Sequence, residues 1–174
     1  HIRLDRFHRS IPFPVVVAND ANCAGFSELC AERPTYVYVS LNESVGGAFL
    51  LEGRLYLGGT WQAGEIGHML LIPGGERCYC GKHGCADAYL SPKVLRKQGE
   101  TLASFFRRVE KQEKTACETW DTYLEHLAIL LTNLRMMLNT DLVIGGEVGT
   151  YIAPYLDELC TKAMKYDLFA RDID

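Results

Sequence analysis

One histidine and three cysteines crowd into a short, glycine-rich stretch: Gly64-Glu65-Ile66-Gly67-His68, then Cys78-Tyr79-Cys80-Gly81-Lys82-His83-Gly84-Cys85. Three thiolates and one imidazole are a donor set that suits tetrahedral zinc. Cys78 and Cys80 stand too close in sequence for an easy mutual disulfide, and the residues around them are too polar for a buried cysteine core. Gly74, Gly75, Gly81 and Gly84 let a short backbone wrap an ion without steric penalty. The C-x-C-x4-C spacing is not that of a common zinc finger. A zinc loop held by His68, Cys78, Cys80 and Cys85 is therefore expected.

The 174 residues are enough for one domain with a real core. A net charge of −4 with no basic face gives no footprint for nucleic acid. No apolar run approaches the length of a membrane span, and no signal peptide opens the chain. Cys23, Cys30, Cys117 and Cys160 lie in apolar or helical contexts and read as reduced core thiols, so the cytoplasm is the expected compartment. The chain opens on His1, and residues 2–14 carry no start of a domain; a portion of a longer protein is expected.

Hydrophobic patterning predicts short strands over 13–18 and 36–41, a hairpin of 46–51 with 54–57, and further strands over 69–72 and 141–144. Helices are predicted over 21–32, with Asp20 or Asn22 as cap, from Ser91-Pro92, over 101–111, over 119–138 and over 151–164. In the 119–138 helix, Trp120, Tyr123, Leu124, Leu127, Leu131, Leu134 and Leu138 recur at three- and four-residue steps. Strands bracketed by strand–helix alternation imply an α/β domain with a mixed sheet.

Four groups can carry chemistry. Asn19-Asp20 follows a predicted strand and opens a helix, the place where open α/β sheets bind ligands. Asp20 is either a helix cap or a base for a substrate hydroxyl. Glu65 lies three residues before His68; a carboxylate beside a metal-held imidazole suits adjacent sugar hydroxyls. Gly46-Gly47 and Gly145-Gly146 are turns where a nucleotide can approach the backbone, although hairpins use glycine anyway. His83 is assigned to the surface and His126 to a helix face.

Taken in order, these pieces resemble the ROK family of sugar kinases and sugar-responsive transcriptional repressors. The matching segments are Ala18-Asn19-Asp20-Ala21-Asn22, Gly46-Gly47, Gly64-Glu65-Ile66-Gly67-His68, the Cys78–Cys85 loop and Val143-Ile144-Gly145-Gly146. The resemblance implies an actin/hexokinase-like (ribonuclease H-like) lobe with mixed sheet, flanking helices and a zinc loop. Residues 1–174 would be the C-terminal lobe, with about 1–18 entering from the other lobe and 64–90 forming the sugar and zinc segment. Asn19, Asp20, Glu65, His68 and Asp87 would meet the sugar, with Asp20 the base in kinase members. Gly46, Gly47, Gly145 and Gly146 would line the nucleotide side, and ATP with Mg would be needed only by a kinase. A homo-oligomer is implied.

The chain departs from the kinase pattern at three points. An N-terminal phosphate motif is missing. The turn before the hairpin glycines reads Asn42-Glu43-Ser44-Val45 rather than Gly-Thr-Gly, and a carboxylate there would repel phosphate. Asp87 stands where the family usually has glutamate. These departures lead to the expectation of the sugar-effector-binding part of a transcriptional regulator, reaching DNA only through a domain outside this chain. The alternative is the C-terminal lobe of an ATP-dependent hexose or hexosamine kinase.

Overall fold

A doubly buried strand organises the molecule. In the computed structural model, which describes residues 11–14 and 18–168, Tyr36–Leu41 (β1), Val45–Leu51 (β2) and Arg54–Leu55 (β3) form an antiparallel meander. Asp141–Gly145 (β4) pairs parallel with β1, giving a mixed sheet in the order β3-β2-β1-β4. Glu52 and Gly53, both at positive φ, make the tight turn that joins β2 to β3. Every residue of β1 is buried, because its alternating side chains enter two separate cores. Val37, Val39 and Leu41 belong to the larger core, Tyr36 and Tyr38 to the smaller one with Ala48 and Leu50.

Asp20–Ser27 (α1) covers the smaller core. Gly25 allows the close approach: a Cβ there would lie 2.5 Å from that of Ala48. The Tyr36 hydroxyl also donates to the Gly25 carbonyl at 2.6 Å. The larger core is closed by Asp87–Leu90 (α2), Leu102–Glu110 (α3), Lys114–Leu138 (α4), Gly146–Gly149 (α5) and Leu156–Met164 (α6). Phe106, Trp120, Tyr123, Tyr151 and Tyr155 pack ring to ring within it. Lys162 ties α6 to α4 through Asp121 at 2.6 Å and Glu125 at 3.3 Å.

The stripe on α4 is the one the sequence predicts; of its seven apolar positions only Leu138 is part-exposed. Leu127 is fully buried, so Leu127→Ala is expected to destabilise the protein by about 2–5 kcal/mol. A chemical denaturation curve shifted by less than about 0.5 kcal/mol, the surface range, would place that face elsewhere.

Several boundaries differ from expectation. α4 starts at Lys114 rather than 119, after the positive-φ Gln112. α1 ends at Ser27 rather than 32, because the chain turns back through a Cys30–Arg33 bridge. Residues 69–72 do not join the sheet. They pair with the cysteine loop: Leu71 and Ile72 both donate to the Gly84 carbonyl, and Met69 accepts from Ala86. Ser91-Pro92 opens only the 3-10 turn Pro92–Val94, and Gly99 at φ +79 separates it from α3. Pro154 likewise holds residues 153–155 in a 3-10 turn ahead of α6. The strand expected over 13–18 falls on residues 15–17, which lie outside the described residues. Cys23, Cys30 and Cys160 are exposed and Cys117 is half-buried, so the reading of these four as core thiols is corrected. Cys117 still packs against the larger core from its edge, while Cys30 lies in the turn after α1. Among the described residues no helix is long and apolar enough to cross a membrane.

Candidate sugar cleft and metal centre

The metal centre is built by a small hairpin. Cys78 N–H donates to Lys82 O at 2.8 Å and Gly81 N–H to Cys78 O at 3.0 Å, curling Cys78 and Cys80 to one side. Gly84 N–H donates to Glu76 O, and the Leu70–Cys85 bridge brings Cys85 in from the other side. Gly84 has φ +84, and a Cβ on it would lie 1.8 Å from the Ile72 carbonyl oxygen; no other residue fits there. His68 ends the 3-10 turn Ile66–His68. The ligand atoms of His68, Cys78, Cys80 and Cys85 all lie within 4.8 Å of one another. Cys80 Sγ and Cys85 Sγ are 3.7 Å apart, as are Cys78 Sγ and His68 Nδ1. Sulfurs about 2.3 Å from a tetrahedral ion would be about 3.8 Å apart, so the four donors fit a tetrahedral metal, with Nδ1 as the imidazole ligand.

Burial and the neighbouring Cys80 push the Cys85 thiol up to about 11, while a hydrogen bond with the Lys82 backbone draws the Cys80 thiol down. A metal must displace such protons, so its affinity is expected to rise with pH. Metal binding that released no protons, read as a calorimetric enthalpy independent of the buffer's ionisation heat, would contradict thiolate ligation.

A polar cleft of about 180 Å³ lies beside this centre. Asn19, Asp20, Asn22, Trp61, Gly64, Glu65 and Tyr79 line it together with Ser44 to Gly47, which we call its floor. Asn19 is the helix cap, its Oδ1 accepting from Asn22 N–H at 3.1 Å. Asp20 stands in the first turn, its Oδ1 accepting from Ala21 N–H at 2.9 Å, and is part of the cleft lining. Gly64, at φ +90, brings its backbone against Gly47; a Cβ on it would lie 2.4 Å from the Gly47 carbonyl oxygen. That contact sets the position of Glu65.

Of the residues picked from the sequence, Asn19, Asp20, Glu65, Gly46 and Gly47 are brought together here. His68 and Asp87 lie outside this lining. His68 Nε2 is 3.1 Å from the Tyr79 hydroxyl. Asp87 is buried and accepts from Val45 N–H at 2.6 Å, so it supports the cleft floor from behind. Gly145 and Gly146 pack against Tyr38 and Leu41, with no room for a Cβ at either. Glu43 is paired with Arg96 and, at 3.8 Å, with Lys93; Arg96 holds its carboxyl below the ordinary range. His83 is exposed, with Nδ1 3.0 Å from Gly75 O, and the half-buried His126 ring meets Tyr89 edge-on. Trp61 and Tyr79 escape a motif-based reading, although an exposed tryptophan in a glycine-rich turn is a signal in itself: they are 79% and 71% exposed.

With this fold and site in view, the comparisons place the chain. It belongs to the ROK family, whose model matches residues 4–169. It is 29% identical over 146 residues to N-acetylmannosamine kinase of Vibrio cholerae, an alignment covering 78% of this chain and 51% of that protein. The chain thus spans about half the length of the curated relatives it matches. The ROK hexokinase of Thermus thermophilus superposes with TM-score 0.77 at 26% identity, over 88% of this chain and 56% of that one. A ROK family glucokinase from Streptomyces griseus, in complex with glucose and AMPPNP, gives 0.83 at 21% identity over 94% and 62%. A ROK family transcriptional regulator, homologous to the E. coli MLC protein, gives 0.80 at 20% identity over 94% and 47%. The expected actin/hexokinase-like lobe with mixed sheet and flanking helices is the fold observed. Kinases and a regulator share it, kinases being the more numerous, so membership alone does not choose between the branches.

Proposed function

We propose that this chain is the sugar-binding, base-bearing lobe of a ROK-type ATP-dependent hexose or hexosamine kinase, with zinc in its cysteine loop. The observation that carries this reading is the placement of Asp20. Asn19 caps α1, and Asp20, with one carboxylate oxygen on Ala21 N–H, lines the same cleft as Glu65. A carboxylate so placed can take the proton of the hydroxyl that attacks phosphorus. Glu65 accepts from neighbouring hydroxyls, and the Asn19 amide nitrogen can donate. Backbone at Gly46 and Gly47 closes the floor without side chains. ATP and Mg would meet this lobe from the rest of the cleft, which belongs to the longer protein.

One of the three departures behind the expectation of a regulator was Glu43, a carboxylate that would repel phosphate. The ion pairs with Arg96 and Lys93 offset that charge, and the argument for a spoiled phosphate turn loses its electrostatic part. The relative at 29% identity is an N-acetylmannosamine kinase, which favours an N-acyl hexosamine as substrate. The regulator reading retains the other departures: no phosphate motif within this sequence, no Gly-Thr-Gly turn at residues 42–45, and Asp87 in place of glutamate.

Zinc would be held by His68 Nδ1, Cys78, Cys80 and Cys85, and supplies a rigid crosslink that fixes the loop. Elemental analysis of the full-length protein, purified under reducing conditions without chelator, is expected to give close to one zinc per chain. Calorimetry on the same protein is expected to show binding of N-acetylmannosamine or glucose. Zinc-replete protein that bound neither sugar would overturn the assignment of the cleft.

A further inference from the structure

Two cations converge on one carboxylate next to the cleft. Glu43 lies on the turn between β1 and β2 and immediately precedes Ser44, which is part of the cleft lining. Its Oε1 bonds Arg96 Nη2, and its Oε2 lies 3.8 Å from Lys93 Nζ.

The cations are the fixed members of this group. Lys93 stands in the 3-10 turn Pro92–Val94, closed by Val94 N–H donating to Ser91 O and Leu95 N–H donating to Pro92 O. Pro92 and Leu95 are buried and anchor the segment. The Arg96 side chain is only 22% exposed, against 62% for that of Glu43. A guanidinium has five N–H donors, and among the described residues Glu43 is the one acceptor that the Arg96 guanidinium meets. The main chain of the turn is tied at both ends. Asn42 Oδ1 accepts from Glu147 N–H at 2.8 Å, next to Gly145-Gly146, and Val45 N–H donates to Asp87 Oδ1 at 2.6 Å. The Glu43 side chain can therefore leave the two cations by changing rotamer, with the backbone in place.

We infer that Arg96 and Lys93 form a binding site for the phosphates of the nucleotide, and that Glu43 fills it until they arrive. This deepens the sugar-kinase reading and rests on it. A phosphate gives the cations what the carboxylate gives them, two oxygens on one centre. It adds charge and further oxygens for the unused guanidinium donors. The exposed ion pair it must break is a weak one. The site adjoins the sugar cleft through Ser44, as the site of a phosphoryl donor must. The Asn42-Glu43-Ser44 turn thereby gains a role, as an internal anion that the nucleotide displaces.

Calorimetry with Mg-ADP and, separately, with inorganic phosphate tests the site on the full-length protein and on its Glu43→Gln, Arg96→Gln and doubly substituted variants. Glu43→Gln is expected to bind Mg-ADP about 2- to 5-fold more tightly, because an exposed ion pair no longer has to be broken. Arg96→Gln should bind it about 10-fold or more weakly, the loss of a charged hydrogen bond. In the Arg96→Gln background, Glu43→Gln should lose most of its gain. Should Arg96→Gln fail to fold, Lys93→Gln takes its place with a smaller loss and the same test of the gain. An affinity for Mg-ADP unmoved by Glu43→Gln would overturn the site. So would a gain of undiminished size in the Arg96→Gln background, which would be a general charge effect. Substitutions that moved the affinity for inorganic phosphate and not for Mg-ADP would overturn the nucleotide assignment in favour of a free phosphate. A wild-type protein that bound Mg-ADP with an affinity indifferent to all these changes would remove the site alone. One that bound sugar but no Mg-ADP would remove the kinase reading and the site together.

Discussion

Cys80→Ser is expected to lose the metal and sugar binding together, whereas Glu65→Ala should lose only the sugar. Cys80 is the exposed corner of the quartet, so replacing its sulfur removes a ligand without opening the core. Structural zinc contributes folding free energy of about 10–16 kcal/mol in small zinc domains, so the loop carrying Cys78, Tyr79 and Cys85 is expected to depend on its ion. Loss of the ion should release His68 and Tyr79 together, and the cleft would lose one wall. Glu65, by contrast, is fixed by the Gly64–Gly47 backbone contact and by the 3-10 turn that follows it. Its removal takes away one charged partner, about 1.5–3 kcal/mol of binding, with zinc content and folding unchanged. Calorimetry with parallel metal analysis separates the two. A Cys80→Ser protein that lacked zinc yet bound sugar with native affinity would make the metal a remote staple.

Asp20→Asn is expected to lower phosphoryl transfer by about 10²–10⁴-fold, the usual contribution of a positioned general base. Sugar affinity should change far less, because the amide keeps the size and one acceptor of the carboxylate. The fold should be untouched, since Asn19 caps α1 and the amide oxygen of the substituted side chain can still accept from Ala21 N–H. A loss confined to KM, with kcat unchanged, would show that Asp20 only binds.

The regular elements were legible where one physical signal dominates. β1 reads as Tyr36 to Leu41 because a strand buried on both faces is apolar throughout. The inward face of α4 reads from its three- and four-residue steps. Residues 69–72 misled because their β-like run is satisfied by the cysteine loop, a long-range partner that periodicity cannot show. The helix after Tyr151 was interrupted by Pro154, whose effect on the first turn is local and could have been read.

At the site, the clustering of His68, Cys78, Cys80 and Cys85 was legible from donor type, and the neighbourhood of Asn19, Asp20 and Glu65 from motif order, whereas Gly46 and Gly47, expected on the nucleotide side, share that lining. Three features were not legible. Asp87 lies behind the cleft floor, bonded to Val45 N–H, a matter of side-chain direction. The pairing of Glu43 with Arg96 spans 53 residues. Tyr79, set between two cysteines, disappears into the metal motif until it is found in the cleft lining.

The central claim is that this lobe serves phosphoryl transfer to a sugar. Its most direct test is ADP release by the full-length, zinc-loaded protein given ATP and Mg, with and without N-acetylmannosamine or glucose. The account predicts ADP release that depends on one of these sugars and disappears in Asp20→Asn. Saturable sugar binding with no sugar-dependent ADP release would contradict it and return the chain to the effector-binding part of a regulator.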